Sequence, residues 1–170
     1  MYRRQTAFFG KISEHGGEHS VGRRKVRRPV VTKRAMHLTM RSTKAVGNWS
    51  LLHPRHRGFV SSLVATLSKK YDVKIYQFSN NGNHLHLLVK AKTRKGFQSF
   101  LRLLSGRLAL RITGAKKGKS LASRFWDLPA FTRIVEWGKD FKTVTAYVIQ
   151  NINEALGLVP YKPRMRAKPK

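Results

Sequence analysis

The chain of 170 residues is long enough for one domain with a sizeable core, and its 41% hydrophobic content argues against wholesale disorder. Its 36 Lys and Arg against 7 Asp and Glu give a formal net charge of +29, a self-repelling balance that binding to a polyanion relieves. The absence of Cys excludes disulfides, thiolate metal ligands and Cys nucleophiles, and no apolar run approaches the roughly 20 residues of a membrane-spanning helix. We therefore expect a soluble intracellular protein without a signal peptide, whose leading partner is nucleic acid rather than a membrane.

Both ends of the chain are basic and lack apolar periodicity. Residues 1–34 contain Gly16-Gly17 and the run Arg23-Arg24-Lys25-Val26-Arg27-Arg28-Pro29, which is typical of an extended basic arm. Residues 160–170 are similar in composition. The sequence thus predicts a central domain at 35–159 between two flexible basic tails that become ordered on nucleic acid.

In the first half of the central domain, the apolar periodicity changes from that of a strand to that of a helix and back. Met36, Leu38 and Met40 alternate with polar residues, whereas the apolar residues that follow His56 recur at helical spacing. Asn81-Gly82 is a strong hairpin signal. The predicted elements are a strand at 35–42, a helix at 56–71, and two strands at 73–78 and 84–90.

The second half predicts a helix at 96–112 with one apolar stripe, a strand at 131–137 and a helix at 140–156. The loop at 113–120 is small and basic, which suits phosphate contact, but it lacks the spacing of a Walker A loop. The order β-α-β-β-α-β-α predicts an α+β fold, a ferredoxin-like antiparallel four-stranded sheet with two helices on one face. The additional C-terminal helix, which carries Tyr147, is left to lie elsewhere.

His84 and His86 occupy alternate positions on one predicted strand. Their side chains therefore point to the same face, while Leu85 and Leu87 point to the other face and pack under the two crossover helices. The neighbouring strands would hold both imidazoles within reach of one metal ion. The alternative is that the two His are only polar, outward-facing positions.

Tyr147 and Asn151 lie one turn apart on the predicted C-terminal helix, so they share one helical face. If that face lies over the His pair, Asn151 completes a metal site and Tyr147 reaches a phosphate bound there. A phenol has an ordinary pKa of about 10, so it needs a positive field to act as a nucleophile. The alternative is that Tyr147 is a core aromatic residue beside the apolar stripe of Val144 and Val148.

Other catalytic schemes fit less well. The acidic residues are few and scattered, which disfavours a carboxylate-based two-metal nuclease. Glu136 is the acid to watch as a metal neighbour or base, although a surface salt bridge is the more expected role. His37 either approaches the site or is a structural residue. Imidazole ligands suit Mn better than Mg, with Zn as a competitor in vitro.

Two segments resemble a known family. Asn83-His84-Leu85-His86-Leu87-Leu88 resembles the His-hydrophobic-His (HUH) motif of single-tyrosine transposases, and Tyr147-Val148-Ile149-Gln150-Asn151 resembles their tyrosine helix. Phe125-Trp126-Asp127 and Phe131-Thr132-Arg133-Ile134-Val135 are similar to the preceding segment of REP-associated tyrosine transposases. The resemblance covers roughly residues 16–159.

The resemblance implies a bacterial, cytoplasmic, nucleoid-associated strand transferase. It would act on single-stranded DNA with REP-like hairpins through a 5′-phosphotyrosine intermediate and a free 3′-hydroxyl. It implies Tyr147 as the nucleophile, His84 and His86 as ligands of Mg or Mn, and Asn151 as a candidate third ligand. Related enzymes are monomers or homodimers, and in a dimer Tyr147 would serve the partner's His pair. Ile152 stands where the family usually has Pro, which predicts that the helix continues past Asn151.

Basic and aromatic residues around this site are expected to contact DNA. Trp126, Phe131 and Trp137 offer stacking surfaces for unpaired bases, and the N-terminal arm would reach a hairpin groove. The basic residues expected to contact phosphates are Arg23, Arg24, Arg27, Arg28, Arg41, Arg102, Arg107, Arg111, Lys116, Lys117 and Arg133.

Two other functions stay open for this sequence. One is a non-catalytic basic protein of the same fold that binds DNA or RNA, and the other is a metal-dependent nuclease that uses water. The Tyr147→Phe substitution separates them, because it abolishes a covalent adduct but not cleavage by water.

Overall fold

Five strands and three α-helices make up the part of the chain that the computed structural model describes, residues 14–24, 26–116 and 123–161. In chain order they are β1 (Glu14–His15), β2 (Ala35–Arg41), α1 (Pro54–Lys70), β3 (Val73–Asn80), β4 (His84–Ala91), α2 (Arg94–Thr113), β5 (Phe131–Val135) and α3 (Lys139–Ala155). No helix among these residues is long and apolar enough to cross a membrane.

The strands form one antiparallel sheet in the order β1-β5-β2-β4-β3. Without β1, this order and the β-α-β-β-α-β connections are those of the ferredoxin-like fold, so the predicted α+β class is confirmed. The sheet nevertheless has five strands instead of the predicted four. The two-residue strand β1, which pairs with β5, is too short to leave a periodic pattern in the sequence.

The Gly16-Gly17 pair explains how β1 reaches the sheet edge. Gly16 has φ of +81°, and a Cβ atom there would lie 2.0 Å from the carbonyl oxygen of Ala130. The backbone N–H of Gly17 donates to the carbonyl of Pro129 at 2.7 Å. Residues 14–20 of the predicted arm therefore lie against the domain. Residues 1–13, Lys25 and 162–170 of the two predicted tails lie outside the described residues, and the domain limits remain predictions.

Helices α1 and α2 pack against each other on one face of the sheet. Leu85, Leu87 and Val89 of β4 point into this main core, where Phe97 and Phe100 of α2 are fully buried. Both helices have side-chain caps, since His53 accepts from the N–H of Arg55 and Thr93 from that of Gly96. The predicted arrangement of two crossover helices on one face is thus what the structure has.

Helix α3 covers the opposite face with a smaller apolar core. Ala35, Leu88 and Val135 of the sheet meet Val144 and Val148 of α3. The alternation along β4 places His84, His86 and Leu88 on this face, as the sequence predicts. The helix continues through Ile152 to Ala155, which agrees with the expectation from the missing Pro.

The predicted boundaries of all seven elements lie within two residues of the observed ones. The predicted strand at 131–137 ends earlier, at Val135, because the chain turns there into α3. Gly138 has φ of +92°, and the Asp140 carboxylate accepts from the backbone N–H of Glu136 at 3.0 Å. These contacts start α3 close to the sheet.

The segment 123–130 is attached to the end of β2. Asp127 accepts from the backbone N–H of Thr43 at 2.8 Å and from its hydroxyl at 2.9 Å. The hydroxyl of Ser42 donates to the carbonyl of Phe125 at 2.5 Å, and the Phe125 ring is buried in the main core. The Phe125-Trp126-Asp127 segment thus fixes the part of the chain that follows Arg41.

Candidate active site

A cleft of about 570 Å³ lies between helix α3 and the ends of strands β2 and β4. His84 and His86 line it from the sheet, and Tyr147 and Asn151 line it from the helix. The structure therefore brings together the four residues singled out for chemistry. Thr39, Arg41, Glu154 and Tyr161 also line this cleft.

The two His rings stand nearly perpendicular, with centroids 4.8 Å apart and an interplanar angle of 88°. Nδ1 of His84 lies 2.5 Å from Oδ1 of Asn83. Because an amide oxygen only accepts, this contact places a proton on Nδ1 of His84, and in the neutral ring Nε2 is then the atom with the lone pair. Asn83, next to the motif, thereby sets the tautomer that a metal-binding imidazole needs.

His86 is buried, and its Nδ1 has two neighbours. Nε2 of His37 and the hydroxyl oxygen of Thr39 each lie 3.2 Å away. The rings of His37 and His86 are stacked, with centroids 5.3 Å apart at 18°. His37 and Thr39 therefore form a second layer behind His86, on the neighbouring strand β2.

His37 remains uncharged at neutral pH. Burial, aided by the nearby Arg133 guanidinium, lowers the pKa of His37 to about 4. A neutral ring can accept the Nδ1–H of His86, which a protonated ring cannot do. Of the two roles considered for His37, the structure favours a place beside the site.

Tyr147 stands edge-on to both of these rings. Its ring centroid lies 5.3 Å from that of His86 at 87°, and 5.8 Å from that of His37 at 77°. The ring is only partly buried, at the border of the smaller core. Tyr147 therefore packs against that core and also faces the cleft, and its role as a nucleophile remains a prediction.

Asn151 is buried one turn beyond Tyr147. Its Nδ2 donates to the carbonyl of Tyr147 at 2.7 Å, and its Oδ1 lies 3.4 Å from Nδ2 of Asn81. The short bond fixes the orientation of the amide, with Oδ1 as the atom able to act as a ligand. Asn81, in the hairpin between β3 and β4, thus connects that loop to α3.

Glu154 is the acid that sequence reasoning missed. It lines the cleft, whereas the acid expected nearest the site, Glu136, is exposed and forms an ion pair with Arg34. The signal was available, because Tyr147, Asn151 and Glu154 follow the i, i+4, i+7 spacing of one helical face. Within the described part of the chain, no three His, Cys, Asp or Glu side chains are placed to hold one metal ion. A metal would therefore need an amide, water or phosphate oxygen besides the His pair.

The basic residues predicted to contact DNA have different surroundings. Arg41 is exposed and lines the cleft, whereas Arg133 forms a bidentate ion pair with Asp140, at 2.9 and 3.3 Å. Arg28 donates to the hydroxyl of Thr132 at 2.5 Å, and burial lowers the pKa of Arg28. These contacts give Arg28 and Arg133 structural roles, while their contact with phosphates remains a prediction.

The other predicted contacts lie further from the cleft. Trp126 donates to the carbonyl of Ser105 at 2.9 Å and packs against the main core, and Phe131 stacks on His19 at 5.7 Å. Lys117 lies outside the described residues. Seven more of the basic residues predicted to contact phosphates are exposed: Arg23, Arg24 and Arg27 before β2, Arg102, Arg107 and Arg111 on α2, and Lys116 after it.

The chain is similar to known transposases. A family model described as "Transposase IS200 like" matches residues 18–151. Among solved structures, the chain resembles a REP-associated tyrosine transposase bound to a REP hairpin, with a TM-score of 0.59 and 16% identity over 81% of this chain and 76% of that chain. It also matches a candidate transposase from Deinococcus radiodurans, with a TM-score of 0.45 and 15% identity over 76% of this chain and 98% of that chain. No curated protein sequence matches the chain.

Proposed function

The chain belongs to the IS200-like transposase family, whose members cleave DNA, and from this premise we propose that it nicks and rejoins single-stranded DNA with Tyr147 as the nucleophile. The observation that carries the proposal is the cleft in which Tyr147 faces His84 and His86. The net charge of +29 favours binding to the phosphates of DNA. A hairpin substrate is proposed because the REP-associated relative of the same fold is bound to one.

The proposed reaction exchanges one phosphate ester for another. The phenolate oxygen of Tyr147 attacks the scissile phosphorus, the Tyr O–P bond forms as the P–O3′ bond breaks, and the 3′ oxygen leaves as a hydroxyl after taking up a proton. The phenol proton passes to water or to Glu154, the one acidic side chain among the described residues that line the cleft. In rejoining, a 3′-hydroxyl attacks the phosphotyrosine and restores Tyr147. The ester count is unchanged, so the reaction needs no other high-energy compound.

The cleft residues fit a divalent metal such as Mg or Mn. His84 and His86 would bind it through Nε2, because Nδ1 of each ring already faces a hydrogen-bonding partner. Asn151 would add its Oδ1 as a candidate third ligand, and water or phosphate oxygens would complete the set. Bound there, the ion supplies a positive field that polarises the phosphate and favours the phenolate form of Tyr147.

Residues behind the metal ligands have a positioning role in this proposal. His37 and Thr39 accept the Nδ1–H of His86 and hold that ring upright on β4. Asn83 does the same for His84. The bond from Asn151 to the Tyr147 carbonyl keeps the amide oxygen turned towards the cleft side of α3. The chain thus keeps both imidazoles in the tautomer that the proposed role needs.

The test is adduct formation on labelled single-stranded DNA that carries hairpins from beside the gene, with Mn or Mg, followed by denaturing electrophoresis. Tyr161 also lines the cleft, so Tyr161→Phe is a matched control for Tyr147→Phe. We expect Tyr147→Phe to lose the adduct while it retains hairpin binding, and Tyr161→Phe to retain both.

Three other results would each contradict the proposal in a different way. An adduct that survives Tyr147→Phe and is lost in Tyr161→Phe would move the nucleophile to Tyr161. Cleavage that survives in both variants without an adduct would indicate a nuclease that uses water. Tight binding with neither adduct nor cleavage, across several hairpins and both metals, would indicate a DNA-binding protein.

A further inference from the structure

A cluster of aromatic and lysine side chains lies on the α3 face of the sheet, away from the cleft. Trp137 and Phe141 have ring centroids 4.9 Å apart, and Tyr76 stands edge-on to them at 5.9 and 5.2 Å. Nζ of Lys74 lies 5.0 Å from the Tyr76 ring centroid, and Nζ of Lys90 lies 5.8 Å from that of Trp137. These five residues are called the lysine–aromatic surface below.

The charges of the two lysines do not stabilise the fold. Lys74 and Lys90 are direct partners across the antiparallel strands β3 and β4. Like charges at directly opposite positions of a sheet repel each other. The aromatic rings offset part of this repulsion, and an anion bound between the lysines would remove it.

A groove of about 690 Å³ adjoins this surface and has the same charge. Lys69, Lys74, Lys90 and Lys92 line it, and Asp72 is the one acidic residue among the described residues there. Phosphates of a bound strand would therefore lie along the groove, beside the aromatic rings.

Trp137 is the exposed ring of this surface. Its side chain is 46% exposed, although a tryptophan in a small domain is usually well buried. Its Nε1 donates to the carbonyl of Lys33 at 2.9 Å, which fixes the ring in place. An exposed aromatic ring that is held in place beside lysines is a stacking position of the kind that sequence-independent single-strand binding uses.

The lysine–aromatic surface is within reach of a strand held in the cleft. Lys90 follows His86 by four residues on β4, which is about 14 Å at roughly 3.4 Å per residue. Phe141 precedes Tyr147 by six residues, about 9 Å along α3. A stacked strand covers about 14 Å in some four nucleotides, at roughly 3.4 Å each.

We propose that the lysine–aromatic surface binds the single-stranded flank of the DNA whose scissile phosphate lies in the cleft. Lys74 and Lys90 contact its phosphates, and Trp137 stacks on an unpaired base. The occupant is single-stranded because the base faces in a duplex are covered by stacking on the neighbouring base pairs, whereas an unpaired base can turn its face to an aromatic side chain. The identity of the bound DNA rests on the proposed function. The assignment of the surface as a binding site rests on its own contacts.

The test measures the affinity of the full chain, without divalent metal, for hairpin DNAs that carry a 5′ or a 3′ single-stranded flank of increasing length. We expect the affinity to rise with flank length for at least one polarity, and this rise to vanish in Lys74→Gln/Lys90→Gln. The salt dependence of binding should fall by about 1.4 in slope, roughly 0.7 for each phosphate that a lysine no longer neutralises. The Trp137→Ala variant should lose about 5-fold or more in affinity for the flanked DNA, and Trp137→Phe much less.

The matched control is Arg55→Gln/Arg57→Gln, which removes two exposed charges from α1 on the other face of the sheet. This variant should keep the dependence on flank length. The proposal is overturned if flank length does not change wild-type affinity, if a duplex flank binds as well as a single strand, or if both double variants lose the dependence equally. Circular dichroism and thermal melting of each variant separate loss of binding from loss of fold.

Failure of this proposal is distinguishable from failure of the proposed function. The binding series contains no metal and no cleavage step, so it does not depend on Tyr147. If affinity depends on flank length but no adduct forms, the surface is supported as a binding site and the role of Tyr147 as nucleophile is refuted. An adduct without a flank effect would do the reverse.

Discussion

Replacing His37 by Phe will weaken divalent-metal binding without disturbing the fold. Phe keeps a flat apolar ring stacked on His86, where the His37 ring now lies at 5.3 Å and 18°. It removes the acceptor that lies 3.2 Å from Nδ1 of His86. Because Thr39 offers a second acceptor at the same distance, the loss will be partial.

The expected size follows from what such supporting bonds contribute elsewhere. Losing the partner of a metal-bound imidazole typically weakens metal affinity by about 10- to 100-fold. With Thr39 still in place, we expect the lower end, about 10-fold or ~1.4 kcal/mol. The Thr39→Val variant should behave similarly, and the double variant should lose more than either single one. His37→Gln restores an acceptor and should recover part of the affinity.

Two measurements check this reasoning independently. Isothermal titration with Mn gives the metal affinity of each variant. Long-range proton–nitrogen NMR on the metal-free protein shows directly which ring nitrogen of His86 carries the proton. We expect Nδ1–H in the wild type and a mixture of tautomers in His37→Phe. Unchanged affinity together with an unchanged tautomer would refute the role given to His37, whatever the activity of the variant.

Three further predictions concern stability and the metal. The pKa of His37 is about 4 in the folded protein and about 6.5 in the unfolded chain. As the pH falls from about 6.5 to about 4, the unfolded state therefore binds the proton first. The free energy of unfolding decreases over this range by up to about 3 kcal/mol. Urea unfolding of metal-free wild type and His37→Phe across these pH values should show the smaller pH dependence in the variant. Gly16→Ala should destabilise the protein by more than about 1 kcal/mol in thermal melts. Gly22→Ala should cost less, because Gly22 also has a positive φ, of +68°, but no atom of the described residues lies within 4 Å of the new Cβ. Chelation of divalent metal should abolish the tyrosine adduct and leave hairpin binding intact, and an adduct formed in excess chelator would contradict the proposed metal site.

Local periodicity was enough to predict β4 and the direction of its side chains. The period of two places His84 and His86 opposite Leu85 and Leu87, and this holds in the structure because each face of the sheet has its own core. The seven main elements were predictable for the same reason, since each is at least five residues long and carries an apolar pattern. The roles of the site residues themselves remain predictions.

What the sequence did not reveal depends on contacts between distant segments. β1 has two residues and depends on the approach of Gly16 to Ala130, which no periodicity records. The position of α3 over the His pair depends on the small core around Leu88 and Val148. Because that core joins distant segments, the sequence could state the site only on the condition that α3 lies there. The ion pair of Arg133 with Asp140, which the start of α3 brings to it, left no pattern in the sequence either, and the contact of Arg133 with phosphate remains a prediction.

The Arg133–Asp140 pair connects the position of α3 with the charge state of the site. Through Asp140 it fixes the first turn of the helix that carries Tyr147, where the apolar core is small. Its guanidinium also adds to the burial that keeps His37 neutral. A neutral His37 is the acceptor that the proposed tautomer of His86 requires. One ion pair on the α3 face of the sheet therefore contributes both to where Tyr147 stands and to which nitrogen of His86 the proposal presents to the cleft.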